Sequence, residues 1–332
     1  MALTEEGLIH VPGLLSRWVR LGSGAAAHYM TAGETGPAVV LLHGGMWGAS
    51  GTAAWPQIAP FLGANGFRVY CPDLPGFGLT EHYEDAYLPD LSGHVDFLHD
   101  FVTALRLERF HIAGNSMGSQ NTVNYVTAHP KKILSFVLIS GGLEDLVSFE
   151  EIMRKLPQPK DVDRSIIFQF DGTNESMRKI MAWLVNDPSK ISDDVVEMRT
   201  LAAAKHMDYY REMNKQSVFK SPDPDTQARM SIKGRFDRLS LPGIYLYGAS
   251  DHAMPPEIGG HPQEDVLPNV QFFYPENTGH QGQTDSPELF NQIFLEFFRD
   301  GKVSWETAQA AGISTRRPPL THLVSVPAPD DA

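Results

Sequence analysis

The stretch Phe110-His111-Ile112-Ala113-Gly114-Asn115-Ser116-Met117-Gly118 decides the fold. Residues 110–113 predict a strand, and residues 117–128 predict a helix. Between them stands the pattern G-x-S-x-G, in the strand–turn–helix context that this pattern requires. A serine placed there sits on a sharp turn, and the glycines two before and two after it keep side chains from colliding. The helix N-terminus beneath it favours developing negative charge. Ser116 is therefore the candidate nucleophile.

On both sides of this turn the chain alternates strand and helix. Strands are predicted over 17–21 and 25–31, with Gly22-Ser23-Gly24 as a hairpin turn. Further strands are predicted over 38–42, 67–71, 135–140, 243–247 and 270–274. Helices are predicted over 55–64, 91–105 and 287–298. Continuous apolar runs such as 38–42 suit strands buried on both faces of a parallel sheet. The alternation predicts such a sheet, covered on both sides and joined by right-handed crossovers. Over 144–218 the alternation stops. That stretch reads as helical and rich in methionine, with Met153, Met177, Met181, Met198, Met207 and Met213. Within it Ser192 is a helix N-cap followed by Asp193 and Asp194. The resulting division is a core of 1–143 and 219–300, a helical lid of 144–218, and a C-terminal extension of 301–332. The extension holds Arg316-Arg317-Pro318-Pro319 and reads as an extended tail.

Composition narrows the function classes. The 332 residues carry 27 basic and 40 acidic side chains, a formal charge of −13. An acidic surface argues against nucleic acid as a partner. No apolar run is long enough to span a membrane. Residues 1–12 do not read as a signal peptide. Cys71 is the single cysteine, so no internal disulfide and no cysteine-based metal site can form, and a cytoplasmic location is expected. An anionic substrate would need local positive charge in its pocket.

The remaining chemistry follows strand ends. His43-Gly44-Gly45 closes the strand 38–42, where Gly44 and Gly45 supply an N–H to an oxyanion hole and Met117 supplies the second. Asp251, in Gly248-Ala249-Ser250-Asp251, follows the strand 243–247 and is the candidate acid. Asp237 and Asp145 are less well placed. His280, after Thr278-Gly279, follows the last strand and is the candidate base, giving the chain order Ser, Asp, His. His252 and His129 read as surface loop residues, and His43 as a structural residue of the oxyanion loop. In this arrangement His280 takes the Ser116 proton and Asp251 fixes the imidazole tautomer. No metal or organic cofactor is implied: H-E-x-x-H is absent, and Gly76-Phe77-Gly78 falls short of a phosphate-binding loop.

These residues resemble the α/β-hydrolase fold family over about 17–299. More closely, they resemble the meta-cleavage product hydrolases, which cleave C–C bonds in ring-fission products of aromatic degradation. The resemblance rests on Gly114 to Gly118, His43-Gly44-Gly45, Asp73-Leu74-Pro75-Gly76-Phe77-Gly78, Phe290-Asn291 and the places of Asp251 and His280. It implies a mostly parallel eight-stranded sheet with an inserted helical lid, and a small-molecule substrate of the vinylogous 1,5-diketone class. It also implies an enol-to-keto isomerisation before cleavage, no cofactor, and a homo-oligomer. In that family an arginine on a lid helix binds the substrate carboxylate, and Arg199 stands at the matching place. Its alternative is a solvated helix-face arginine paired with Glu197 or Asp194. Asn115 is either a substrate contact or a turn-stabilising amide. The sequence departs from the family pattern at Met46 and Trp47, where small residues and proline are usual. It departs also at Gln281, where an aromatic is frequent, and at Ser119, where a second glycine is frequent. Met46, Trp47 and Gln281 are thereby candidate substrate contacts. A carboxylesterase or lactonase with the same triad is the alternative, with Trp47, Met153, Met181 and Trp183 as an apolar pocket. A ligand receptor on the same scaffold is a third reading. Dehalogenase and epoxide-hydrolase chemistry on this fold needs an aspartate where Ser116 stands.

Overall fold

A computed structural model describes residues 2–143, 145–148, 154, 165, 166, 169–215 and 223–327. Its centre is an eight-stranded sheet: β1 Leu15–Arg20, β2 Ala26–Ala32, β3 Ala38–Leu42, β4 Arg68–Pro72, β5 Phe110–Asn115, β6 Ile133–Ile139, β7 Gly243–Leu246 and β8 Val270–Phe273. The spatial order is β1-β2-β4-β3-β5-β6-β7-β8. β3 through β8 pair in parallel, while β1 and β2 run antiparallel to their neighbours. Each expected strand is present. Every residue of β3 and β5 is buried, which is why β3 is a continuous apolar run rather than an alternating one; β5 buries His111 and Asn115 as well. The Gly22-Ser23-Gly24 turn closes the first hairpin, with the Leu21 N–H on the Ala25 carbonyl at 2.8 Å.

Helices cover both faces. α1 Ile58–Ala64 and α7 Pro287–Asp300 pack on one side, where Ile58, Leu62, Phe294 and Phe297 meet Val39, Leu41 and Ile139. α2 Leu91–Ala104 and α3 Met117–Ala128 pack on the other. The helix expected over 55–64 starts later. Pro56 separates α1 from a short turn, Gly51–Ala54, whose cap is the Ser50 hydroxyl accepting the Ala53 N–H.

Between β6 and β7 lies the helical insertion. Its described helices include α4 Asn174–Leu184, α5 Asp193–Lys205 and α6 Met207–Lys215, and a short helix, Pro224–Met230, follows before β7. Met177, Met181, Met198 and Met213 are buried, so they serve packing of the insertion. Met153 lies outside the described residues. α5 rests on the loop after β3: a Cβ on Gly48, at φ +66°, would lie 2.0 Å from the Arg199 carbonyl oxygen.

The C-terminal extension differs from the expected extended tail. Residues 301–327 form β9 Val303–Ser304, α8 Trp305–Ala310 and β10 Val324–Ser325. Ile313 bridges Phe273 on the outer edge of β8, with the Tyr274 N–H on Gly312 at 2.8 Å and the Ser314 N–H on Phe272 at 3.0 Å. Arg317 donates to the carbonyls of Leu267, at 2.9 Å, and Val270, and Arg316 lies 3.2 Å from Glu264. Residues 328–332 lie outside the described set. Among the described residues no helix is long and apolar enough to cross a membrane.

Candidate active site

The loops at the C-terminal ends of β3, β5, β7 and β8 carry the residues singled out by the sequence. Ser116 follows β5 and caps α3 with φ 56° and ψ −120°. Left-handed φ at a residue with a side chain costs on the order of 1–2 kcal/mol. The surrounding glycines hold the turn in this state. A Cβ on Gly114 would lie 2.1 Å from the Gly118 carbonyl, and one on Gly118 would lie 2.3 Å from the Leu42 carbonyl. Ser119, in place of the second glycine, puts its hydroxyl 2.6 Å from the Gly114 carbonyl and 3.0 Å from Ile139 N. It laces the elbow to β6.

Asp251 and His280 come together from separate loops. His280 Nδ1 lies 2.9 Å from Asp251 Oδ2. Both are buried, with Asp251 2% and His280 7% exposed. The other carboxylate oxygen accepts the Ala253 and Met254 N–H groups, each at 2.9 Å. This assigns the Nδ1–H tautomer to His280 and leaves Nε2 as the acceptor. Neither that nitrogen nor the Ser116 hydroxyl is bonded to another described residue. Asn115 joins the elbow to the histidine loop, because its Nδ2 donates to the His280 carbonyl at 2.9 Å. It also reaches the Ile139 carbonyl at 3.3 Å. Asp145 instead receives the Ile232 and Lys233 N–H groups, so it serves a separate loop.

Gly44 and Gly45 pass beside the elbow. A Cβ on Gly44 would lie 3.4 Å from Ser116 Cβ, and one on Gly45 2.8 Å from Met117 Sδ. Met117 opens α3, where its N–H has no intrahelical acceptor. His43 is fully buried and fixed as a neutral ring. Its Nδ1 faces the Gly44 carbonyl at 2.7 Å, and its Nε2 accepts the Leu74 N–H at 3.0 Å. Burial lowers its pKa, against the opposing pull of Asp73. Both nitrogens are committed to the backbone, which suits a structural role in this loop.

Arg199 is 2% exposed. Its Nη2 donates to the Trp47 carbonyl at 2.8 Å, and its Nε is buried without a partner. No ion pair to Glu197, Asp194 or any other described carboxylate forms, so the solvated helix-face alternative does not hold. Desolvation lowers its pKa to about 10, which leaves it charged at neutral pH. The Trp47 ring packs on Tyr210, 4.7 Å between centroids, and on Phe170, 5.2 Å away. The Tyr210 hydroxyl donates to the Met46 carbonyl at 3.2 Å. Gln281 lines a cavity of about 730 Å³ between core and insertion, together with Met181, Val185, Ile191 and Val195; Ser116, His280, Arg199 and Trp47 do not line it, so Gln281 stands apart from them.

Sequence reasoning missed Tyr210, which forms one wall beside Arg199. It missed also His94, fully buried with Nε2 3.4 Å from the Tyr209 hydroxyl and its pKa lowered to about 4 by burial. The adjacent aromatics Tyr209-Tyr210 on an otherwise polar helix were the available signal. Among the described residues no cluster of three or more His, Cys, Asp or Glu side chains could hold a metal ion.

The profile of the alpha/beta hydrolase fold family matches residues 37–287. A 2-hydroxy-6-oxononadienedioate/2-hydroxy-6-oxononatrienedioate hydrolase from Paraburkholderia phymatum is 26% identical over 300 residues, 88% of this chain and 98% of that protein. A 2-hydroxy-6-oxo-6-(2'-aminophenyl)hexa-2,4-dienoic acid hydrolase from Metapseudomonas resinovorans is 27% identical over 294 residues, 85% of this chain and 90% of that one. The crystal structure of a meta-cleavage product hydrolase from Pseudomonas fluorescens IP01 superposes with a TM-score of 0.69 at 22% identity, covering 86% of this chain and 98% of the other. That last likeness shows the fold. With a family profile spanning Ser116, Asp251 and His280 alike, the chain belongs to the alpha/beta hydrolase fold family.

Proposed function

We propose that the chain is a serine hydrolase that cleaves a C–C bond in a carboxylated vinylogous 1,5-diketone, the product class of extradiol ring opening. The observation that carries this reading is Arg199, a buried guanidinium with no described carboxylate to neutralise it. A buried charge without a partner is costly, and a ligand carboxylate is the group that matches its paired N–H donors. The curated relatives, named for hydroxy-oxo-dienoate substrates, support the same class.

Catalysis runs through Ser116, His280 and Asp251. The substrate first isomerises from enol to keto form with the serine and histidine at hand. His280 Nε2 then takes the Ser116 proton as Oγ attacks the ketone carbon. The Gly44, Gly45 and Met117 segments supply N–H donors to the oxyanion. The adjoining C–C bond breaks, its electron pair goes to the dienol fragment, and His280 returns the proton. Water, deprotonated by His280, releases the acyl group from Ser116 as a carboxylic acid. Asp251 holds the imidazole tautomer throughout. Arg199 binds the carboxylate end, while Met46, Trp47 and Asn115 shape the rest of the pocket. Residues 144–218 form the lid over a core of 1–143 and 219–300, and the enzyme works in the cytoplasm.

Stopped-flow absorbance with a yellow ring-fission dienolate tests this, beside a p-nitrophenyl ester assay. Bleaching of the dienolate with release of a carboxylic acid and a 2-hydroxydienoate is the expected result. Fast ester cleavage without bleaching would replace this reading with the carboxylesterase or lactonase one.

A further inference from the structure

Asp285 ties the segment that carries His280 to the helical insertion. It is 1% exposed. Its Oδ1 accepts the N–H groups of Asn186, at 2.9 Å, and Asp187, at 3.0 Å. Its Oδ2 accepts the Gly279 N–H at 2.8 Å and lies 2.9 Å from Asn186 N. Asn186 and Asp187 follow α4 of the insertion, and Gly279 immediately precedes His280. Lys190 donates to the main-chain carbonyl of Asp285. A buried carboxylate is tolerated only where several donors surround it, and here main-chain N–H groups from two distant segments do so.

The same joint closes from other directions. The Gln281 N–H donates to the Leu184 carbonyl at 3.0 Å. A Cβ on Gly279 would lie 2.9 Å from Asn186 N and 3.0 Å from the Leu184 carbonyl, so the two segments touch through backbone alone. With Asn115 on the His280 carbonyl, the main chain is held before, at and after the histidine.

We propose that Asp285 is a positioning residue: it locks the His280 backbone to the insertion, so that the imidazole and the insertion keep one fixed relation. This rests on the reading of His280 as the base of Ser116. Asp251 orients the ring through Nδ1, but where Nε2 falls depends on the Cα position. A displacement of about 1 Å in a reacting group costs about a hundredfold in rate. Loosening the joint therefore slows the proton transfer while leaving the carboxylate and apolar contacts of the substrate in place.

The test uses the full chain, Asp285→Asn and Asn186→Pro. The first turns one acceptor oxygen into a donor facing backbone N–H groups. The second removes one N–H without touching the carboxylate, and Val185, at φ −114° and ψ 156°, already has the backbone that precedes a proline. Three quantities are read: the rate of Ser116 labelling by a fluorophosphonate, kcat and KM on whichever probe the wild type turns over, and amide exchange at Gly279, Asn186 and Asp187. Labelling and kcat are expected to fall about tenfold or more in Asp285→Asn and a few-fold in Asn186→Pro, with KM within about twofold. Exchange is expected to be faster at Gly279, Asn186 and Asp187 in Asp285→Asn, and at Gly279 and Asp187 in Asn186→Pro, which has no amide proton at 186. Faster exchange with unchanged labelling and kcat in either variant would overturn the positioning role. If Asp285→Asn does not fold, Asn186→Pro alone decides it. Absence of Ser116 labelling in the wild type would instead overturn the assignment of the nucleophile, and this inference with it.

Discussion

His280 Nδ1 lies 2.9 Å from Asp251 Oδ2, across loops that leave two neighbouring parallel strands. The Ser250 N–H, bonded to the Thr278 carbonyl at 2.8 Å, sets the spacing of those loops. Asp251→Asn would place an amide N–H₂ against Nδ1–H and force the other tautomer. The expected result is a loss of about 10³–10⁴ in kcat with near-UV circular dichroism unchanged.

Ser116→Ala is expected to abolish turnover and keep the fold. Ser116→Gly is the more informative change, because it also relieves the φ of 56°. A gain of about 1 kcal/mol, seen as a rise in Tm of about 2 °C, is expected alongside lost activity. A lower Tm for Ser116→Gly would show that the turn is not strained.

Arg199→Met keeps the apolar stem and removes the charge. KM for a carboxylated dienone is expected to rise about fiftyfold, and KM for a neutral p-nitrophenyl ester less than about threefold. Equal changes on both substrates would return Arg199 to a packing role. The unpartnered Nε suggests that the variant loses little stability, which thermal unfolding checks.

Asp73 joins three segments below the site. Its carboxylate lies 2.7 Å from His28 Nδ1 and accepts the N–H groups of Gly51 at 2.7 Å and Leu79 at 2.8 Å. Burial works to raise its pKa, but His28 and the Leu79 N–H outweigh burial and hold it below the ordinary carboxylate value. Its stabilisation is therefore complete above the unfolded-state pKa and is lost as pH falls through the lower folded-state value. Asp73→Asn is expected to cost about 3 kcal/mol at pH 7. The gap to wild type should shrink below about pH 4, as urea unfolding at both pH values would show.

Much of this molecule is legible in its sequence, for identifiable reasons. Strands buried on both faces leave continuous apolar runs, so β3 and β6 are plain. The elbow is local: its glycines and its serine lie within five residues. What is not legible depends on distant partners. The three N–H donors around the Asp285 carboxylate come from segments about a hundred residues apart, and no local pattern announces them. Arg199 sits on a helix whose flanking charges suggest a wet face; only the docking of α5 on the Gly48 backbone buries it. The extension reads as solvated because its anchors, Arg316 and Arg317, are charged, yet their partners are main-chain carbonyls, Glu264 and Asp265.

That extension has a consequence for how the protein behaves in concentrated solution. The bridge between Ile313 and Phe273 occupies hydrogen-bonding groups of a strand that would otherwise end the sheet. Shorn of residues 301–327, the chain would offer the bare edge of β8, with Phe272 and Tyr274, as a template for strand addition by another copy. A hydrolase core trimmed at 300 would thus precipitate rather than stay monodisperse. The last stretch of the sequence is in this sense a built-in guard against self-association along the sheet.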